Sequence, residues 1–327
     1  MPYELRYEGD FEVLENLFRK KYLLERGDIS HQYIRTAALA CPGVMRGVYA
    51  GGGGIALDRF RLTDVLDDGF GISTGGPAVG FFLAGQVQKH IDLYWNEAAS
   101  ERFIHFPRFW QGSRPVADTD YICGVFRDKM DQEAIRRSRT RFFVGATCVN
   151  TGGGHFIDAK ATKPDIVEAI HASLALPKLC GRVVTINGID YVDGSGAMSF
   201  PVQKIVETFD PTDLLIFANC PSEDKGSAAG NLFSAAMLAG FPLPLQKAFA
   251  RRHKDFAEGV QYARNARVQK LCRIGIVWTD DAVGRFERDQ GKLQAAALRA
   301  QKHMEDLLYD ARAKFEASLQ SSSVAAE

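Results

Sequence analysis

Two periods of hydrophobic and polar residues divide the chain into predicted helices and strands. Residues 11–26 place apolar side chains at helical spacing, and a second short helix is predicted over 32–40, where Pro42-Gly43 ends it. Short apolar runs bounded by turn residues predict strands at 44–50, 141–149, 183–186, 214–218 and 274–278. Helices are predicted at 164–174, 201–208, 230–239 and 245–263, before a long final helix at 290–319. This alternation predicts an α/β fold whose largely parallel sheet is covered on both faces.

The domain organisation follows from the same pattern, because the chain shows neither an internal repeat nor a Pro/Ser-rich linker. Hydrophobic residues make up 46% of the 327 positions, which is enough to build a sizeable core. We expect a helical N-terminal extension over residues 1–43, a single domain over 44–320 and a flexible tail over 321–327.

Charge and cysteine content exclude several classes of protein. Lys+Arg and Asp+Glu are 40 each, so the net charge is zero and no overall basic field would attract nucleic acid. The six cysteines are scattered without a Cys-x-x-Cys pair, which argues against a zinc site and predicts buried, reduced thiols. The N-terminus lacks the features of a secretory signal, and no apolar stretch approaches the roughly 18 residues of a transmembrane helix. A cytoplasmic protein is therefore expected.

The first candidate for chemistry is the run Gly71-Ile72-Ser73-Thr74-Gly75, which follows a brief predicted strand. An apolar segment over residues 78–94 follows, and Pro77 favours the first turn of a helix there. Gly-x-Ser-x-Gly between a strand and a helix is the nucleophile elbow, in which small neighbours let the serine hydroxyl project from a strained turn. The sequence therefore predicts a reactive Ser73, with a purely structural turn as the alternative.

The second candidate is the run of four glycines at residues 51–54, which follows the strand predicted over 44–50. Consecutive glycines allow the chain to approach a ligand closely and to aim several N–H groups at one point. In acyl transfer such a loop forms an oxyanion hole. A phosphate-binding loop is the less favoured alternative, because no Gly-Lys-Ser/Thr follows the glycines.

The third candidate is Asp193, in the run Tyr191-Val192-Asp193-Gly194. In isolation Asp-Gly after a β-like segment indicates a turn. Asp193 becomes a candidate base because a serine hydrolase needs one and the sequence offers no convincing histidine for that role. In the α/β-hydrolase order the histidine follows the acid, and only His253 and His303 do so, each in a charged helical stretch typical of a solvated surface.

Taken in order, the glycine run, Gly-x-Ser-x-Gly and Asp193-Gly194 resemble the signature of the patatin-like phospholipase family. Residues 171–177, 200–202 and 251–256 are also similar to segments of its bacterial members, and the resemblance covers roughly residues 44–308. It implies a three-layer α/β/α patatin-like fold with a mostly parallel central sheet, an N-terminal helical extension and a long C-terminal helix. Residues 44–320 would then form the patatin-like hydrolase domain.

The resemblance also implies a lipid acyl hydrolase of phospholipase A, lysophospholipase or esterase type, with a Ser-Asp dyad and no histidine. Ser73 is the implied nucleophile and Asp193 the implied base. The implied oxyanion-hole glycines are Gly52, Gly53 and Gly54, and the implied elbow glycines are Gly71 and Gly75. No metal or organic cofactor is implied. The implied partner is a phospholipid or another acyl ester, met in transient contact with a membrane surface, and not a nucleic acid.

The residues after the glycines depart from the family pattern and keep two alternatives open. Family members carry a basic residue and another glycine shortly after the triplet, where this chain has Ile55-Ala56-Leu57. A weak or inactive lipid-binding pseudoenzyme of the same fold is one alternative. A soluble small-ester esterase or thioesterase, favoured by a narrow closed pocket, is the other. The aromatic segment 103–110 fits an acyl-chain site or a membrane-facing lid as well as it fits a core.

Overall fold

The computed structural model describes residues 5–111, 115–222, 238–265, 272–280 and 282–324. Most of the helix predicted over residues 230–239 lies outside the described residues, as does the end of the predicted tail.

Within these residues the strands form one nine-stranded sheet in the order β1-β9-β8-β2-β3-β4-β7-β6, with β5 paired to β4. The five central strands, β9 to β4 in that order, run parallel, and the outer strands β1, β5, β6 and β7 pair antiparallel. The strands are β1 (Arg6–Gly9), β2 (Thr36–Ala40), β3 (Asp68–Ile72), β4 (Arg141–Cys148), β5 (Gly154–Asp158), β6 (Val184–Ile186), β7 (Ile189–Asp193), β8 (Asp213–Phe217) and β9 (Arg273–Trp278).

Helices cover both faces of this sheet. They are α1 (Glu12–Glu25), α2 (Gly47–Arg59), α3 (Gly75–Leu83), α4 (Val87–His90), α5 (Arg108–Gln111), α6 (Thr119–Lys129), α7 (Gln132–Arg137), α8 (Ile166–Leu174), α9 (Val202–Phe209), α10 (Leu243–Arg264) and α11 (Gln290–Val324). Short 3-10 turns occur at Ile29–Tyr33, Val44–Arg46, Thr63–Val65 and Gly194–Gly196, and a π-helical turn at Tyr94–Ala98.

The side-chain alternation of β2 shows how the layers form. Ala38 and Ala40 join the core on one face, which α1, α2, α3, α8 and α11 cover. Ala37 and Leu39 join the core on the opposite face, where α9 and α10 pack. Neighbouring residues of a strand point to opposite faces, so one buried strand supplies both cores. The result is the three-layer α/β/α arrangement with a parallel centre and a long C-terminal helix, as predicted.

Two predicted elements near the N-terminus are wrong. The helix predicted over residues 32–40 is a 3-10 turn followed by strand β2, which lies between β3 and β8 with all five residues buried. The strand predicted over residues 44–50 is a 3-10 turn and the start of helix α2. A short apolar run does not distinguish a buried strand from a buried helix, and tertiary packing overrides the helical preference of alanine in β2.

Other boundaries agree more closely. The helix predicted over residues 11–26 is α1, and the strands predicted at 141–149, 214–218 and 274–278 are β4, β8 and β9. The helix predicted from residue 78 to 94 is interrupted after α3, where Gly85 adopts a φ of +65°. The division at residue 43 stays a prediction, although the segment before it contributes β1 and β2 to the sheet and is not purely helical.

Candidate active site

Ser73 occupies a sharp turn between β3 and α3. Its φ is +51°, in the left-handed region that a residue with a side chain seldom adopts. The glycines on either side are needed for close contacts. A Cβ on Gly75 would lie 2.0 Å from the carbonyl oxygen of Ala40, and one on Gly71 would lie 2.6 Å from that of Gly75. The strand, turn and helix therefore have the geometry of a nucleophile elbow, with the serine at its apex.

The turn directs the Ser73 hydroxyl at Asp193. Ser73 Oγ donates a hydrogen bond to Asp193 Oδ2 at 2.8 Å, across 120 positions of sequence. The sheet brings them together, because β4 lies between β3 and β7 and its Ala146 pairs with Asp193 at the end of β7. Only 6% of Ser73 and 1% of Asp193 is exposed. The hydroxyl and the carboxylate thus meet in a site shielded from bulk water.

Further hydrogen bonds hold both residues in place. The Ser73 N–H donates to Ser173 Oγ at 2.7 Å, and that hydroxyl donates to the carbonyl oxygen of Gly145 at 2.5 Å. The other carboxylate oxygen of Asp193, Oδ1, accepts from the Ser195 N–H at 2.8 Å. Fixed partners of this kind leave the pair little freedom to move, which is the condition for a preorganised site.

Burial raises the pKa of Asp193 above its usual value, because an enclosed carboxylate loses its hydration. Hydrogen bonds from Ser195 and Ser73 and the positive charge of Arg252 act in the opposite direction and favour the ionised form. Asp193 is therefore a more basic carboxylate than a solvated aspartate, which suits the acceptance of a proton from a hydroxyl.

Within the described residues no histidine forms a hydrogen bond to either member of this pair: the Asp193 carboxylate accepts from the Ser73 hydroxyl and from the Ser195 N–H. His171 is buried on α8, where its Nε2 lies 3.1 Å from Thr119 Oγ1, and burial lowers the pKa of His171 to about 4. His155 has its Nδ1 3.0 Å from the Tyr191 hydroxyl. Both histidines have structural partners of their own.

The prediction that Gly52, Gly53 and Gly54 form an oxyanion loop is wrong, because these residues lie inside helix α2. Interior N–H groups of an α-helix donate to carbonyls four residues earlier and cannot converge on an external oxyanion. The glycines serve packing instead. A Cβ on Gly52 would lie 2.3 Å from the carbonyl oxygen of Ala297, and one on Gly53 2.3 Å from Phe217 Cε1. Their missing side chains let α11 and β8 approach the buried helix.

The loop that approaches the elbow lies earlier, between β2 and α2. Met45 N–H donates to Arg285 O at 3.1 Å and Arg46 N–H to Gly43 O at 3.1 Å. Within the described part of the chain, no residue accepts a hydrogen bond from the N–H of Gly43 or Val44. Val44 has a φ of +52°, unusual for a β-branched residue. Since Ala40 pairs with Gly71, this loop and the elbow leave the sheet at the same edge.

Sequence reasoning missed this loop although a signal was present. A basic residue followed by a glycine, Arg46 and Gly47, stands at this loop and precedes the glycine run. The four consecutive glycines were more conspicuous, and Val44 stands at a backbone conformation that normally selects glycine.

A cavity of about 1030 Å³, counted together with the open space at its mouth, has Ser73 and Asp193 in its wall. Its wall is mostly apolar and includes Pro77, Phe81, Ile91, Ile122, Phe126 and Leu179. Phe106 and Phe286 also line it; they are 45% and 41% exposed and their rings meet edge to face at 5.2 Å. Their exposure marks the open side. A mostly apolar space beside the serine fits a hydrocarbon chain.

Some residues of the aromatic segment 103–110 line the cavity and others are exposed to solvent. Phe103, Ile104 and Phe106 line the cavity, whereas Trp110 is 86% exposed. In the described part of the chain no group of His, Cys, Asp and Glu side chains could hold a metal ion, and no helix is both long and apolar enough to span a membrane. All six cysteines are buried and free of disulfides.

The fold and the site define an α/β protein with a serine–aspartate pair at a nucleophile-elbow turn. The family model described as patatin-like phospholipase matches residues 41–206, about half of the chain, and this stretch contains both residues of the pair. The chain belongs to the patatin-like phospholipase family. Among solved structures it is similar to VipD from Legionella pneumophila, at 11% identity and a TM-score of 0.45, over 84% of this chain and 67% of VipD. The search of curated proteins finds no match.

Proposed function

We propose that this protein is a serine hydrolase that cleaves acyl ester bonds of lipids, with Ser73 as nucleophile and Asp193 as base. The observation that carries the proposal is the 2.8 Å hydrogen bond from Ser73 Oγ to Asp193 Oδ2 in the wall of a mostly apolar cavity. Membership of the patatin-like phospholipase family supports the substrate class.

In the proposed reaction Ser73 Oγ attacks the ester carbonyl carbon while its proton passes to Asp193 Oδ2. The alkoxide of the substrate then leaves with that proton, and an acyl-enzyme remains. Water, deprotonated by the same carboxylate, attacks the acyl-enzyme and releases the fatty acid and Ser73. The raised pKa of Asp193 favours each proton transfer to it, because a more basic carboxylate holds the proton more firmly.

We assign the oxyanion hole to the Gly43 and Val44 N–H groups in place of the glycine run. Both N–H groups are without a partner in the described chain, and their loop leaves the sheet beside the elbow. Two backbone donors are the usual number for an oxyanion hole. The alternative of an inactive lipid-binding protein was motivated by the residues after Gly54, and those residues now belong to a helix away from this role.

The size of the cavity and its apolar wall favour a substrate with a long acyl chain over a small ester. Its wall is mostly apolar, and its mouth exposes Phe106 and Phe286. A phospholipid presented by a membrane surface could enter there, with its acyl chain in the cavity and its head group outside. A small-ester esterase remains the second candidate, and chain-length dependence separates the two.

The test is hydrolysis of p-nitrophenyl acetate, p-nitrophenyl octanoate and a phospholipid panel by wild type, Ser73→Ala and Asp193→Asn. We expect both variants to fold, as judged by circular dichroism, and to lose at least about a thousandfold in kcat/KM, in line with removal of a nucleophile or its base. The octanoate should be the better substrate of the two esters. Equal activity in all three proteins would overturn the dyad, and a preference for acetate would favour the small-ester alternative.

A further inference from the structure

Two buried hydroxyl groups that the proposed reaction does not use lie beside the nucleophile. Thr74 directly follows Ser73, and Tyr94 stands in the π-helical turn that closes one side of the cavity. Thr74 Oγ1 and Tyr94 Oη are shielded from solvent, and neither forms a hydrogen bond to any residue that the structure describes. Burial raises the pKa of Tyr94, so its hydroxyl stays protonated and available as a donor.

Both hydroxyls lie close to the same glycine, Gly47. A Cβ on Gly47 would lie 2.8 Å from Tyr94 Oη and 2.9 Å from Thr74 Oγ1. The two hydroxyls are therefore close neighbours over the backbone of Gly47, at the start of α2, and both residues line the cavity. An unpaired buried hydroxyl carries a desolvation cost, which a ligand oxygen bound in the cavity within reach of both groups would remove.

Tyr94 belongs to the wall of the same cavity that contains Ser73. The Tyr94 ring packs near Gly51, where an added Cβ would lie 3.4 Å from Tyr94 Cε2 and 2.5 Å from Ile91 Cδ1. Gly51 and Ile91 form part of the cavity wall, whereas the exposed rings of Phe106 and Phe286 lie at its mouth. Because Thr74 directly follows Ser73 in sequence, an acyl chain bound in this cavity has the hydroxyl pair near its carbonyl end.

We propose that Thr74 and Tyr94 bind an oxygen substituent close to the carbonyl of the acyl chain, so that esters of hydroxy fatty acids are preferred over unsubstituted esters. This inference rests on the proposed function, because it names the acyl group that the same site takes. The substrate hydroxyl would accept a hydrogen bond from the Tyr94 hydroxyl. It would form a second hydrogen bond with the Thr74 hydroxyl, as donor or acceptor, because a hydroxyl group can do either. An unsubstituted chain would leave both groups unpaired.

The test compares kcat/KM for p-nitrophenyl esters of 3-hydroxyoctanoate, 2-hydroxyoctanoate and octanoate. Wild type should prefer at least one hydroxy ester, and Tyr94→Phe and Thr74→Val should each lower that preference roughly tenfold, the effect of one hydrogen bond to a buried group. Thr74→Ser should retain the preference, because it keeps the hydroxyl. Tyr22→Phe is the matched control, since Tyr22 packs on Phe315 and does not line the cavity.

Binding of the free hydroxy and unsubstituted acids to the Ser73→Ala protein, followed by calorimetry, provides a readout independent of turnover and of the folding of any single variant. The proposal would be overturned if the wild-type ratio of kcat/KM for the hydroxy esters to kcat/KM for octanoate is near one. It would also be overturned if the preference survives in both Tyr94→Phe and Thr74→Val. In that case hydrolysis of octanoate that depends on Ser73 would leave the proposed function intact. Absence of Ser73-dependent hydrolysis of every ester would overturn both.

Discussion

Gly52 in α2 lies directly against Ala297 in α11, so closely that a Cβ on Gly52 would be 2.3 Å from the Ala297 carbonyl oxygen. The same added atom would be 2.9 Å from the Cβ of Ala300. Backbone at this distance cannot move aside as a flexible side chain can. The contact explains why a helix at the centre of the molecule contains glycine, which lowers helix stability by about 1 kcal/mol relative to alanine.

Gly52→Ala should therefore destabilise the protein by about 1–3 kcal/mol, because the added methyl group forces α2 and α11 apart. Gly54→Ala is the matched control on the same helix. A Cβ there would meet nothing closer than Val87 Cγ2 at 3.6 Å, so the better helix propensity of alanine should raise stability by up to about 1 kcal/mol. Urea unfolding of the two variants measures both effects.

The Gly54→Ala variant also tests whether the glycine run holds the oxyanion. If the glycine run held the oxyanion, a methyl group at Gly54 would disturb the site and lower kcat. We expect Gly54→Ala to keep wild-type kcat, since its N–H belongs to the helix. A folded Gly54→Ala protein with the activity of Ser73→Ala would return the oxyanion hole to the glycine run.

Gly43→Ala should reduce kcat about a hundredfold, the usual effect of losing one oxyanion donor. A Cβ at Gly43 would lie 2.9 Å from Asn219 Cβ and 3.0 Å from Asn219 O, so the loop must shift to accommodate it. Steady-state hydrolysis of p-nitrophenyl octanoate measures kcat, and a thermal melt separates this effect from unfolding. Full activity in a folded Gly43→Ala protein would show that the loop between β2 and α2 does not hold the oxyanion.

Ser73 could be predicted from sequence because it stands in a local pattern with a direct structural meaning, whereas Asp193 was singled out by its order in the family signature. Ser73 requires glycine on both sides for the turn to close, and those glycines are visible in the sequence. The 2.8 Å approach of Asp193 then follows from the sheet order, since strands β3, β4 and β7 are neighbours. The parallel centre of the fold was similarly visible in the alternation of apolar runs and helices.

The glycine run was not predictable in the same way, because its role depends on contacts with distant residues. Phe217 and Ala297 approach α2 from β8 and α11, more than 150 positions away, and nothing near Gly53 indicates them. Four glycines also oppose helix formation in isolation. The conformation of Val44 was equally hidden, since a β-branched residue rarely adopts a positive φ.

Ser173→Ala should lower both stability and activity. Its hydroxyl accepts from the Ser73 N–H and donates to Gly145 O, so removal leaves buried polar groups unpaired at a cost of about 1–3 kcal/mol. A less constrained elbow should reduce kcat by roughly tenfold to a hundredfold, because small displacements of a nucleophile are costly. Urea unfolding and steady-state kinetics measure the two effects. Ser318→Ala, on the exposed side of α11, should change stability by less than about 0.5 kcal/mol.

The pH dependence of activity should respond to Arg252. Asp193 accepts a proton only when it is ionised, so kcat/KM falls as the pH drops through the pKa of Asp193. The positive charge of Arg252 favours the carboxylate and opposes the effect of burial on that pKa. Arg252→Gln should raise the pKa of Asp193, and the acidic limb of the kcat/KM profile should move to higher pH.

Arg251→Gln is the matched control for this shift. Arg251 is the neighbouring residue on α10, but its side chain is 59% exposed and pairs with Asp255 and Glu258. Its charge is not among the main influences on the pKa of Asp193, so its removal should leave the acidic limb in place. A shift of equal size in both variants would point to a general loss of positive charge. An unchanged limb in Arg252→Gln would show that Arg252 does not tune the base.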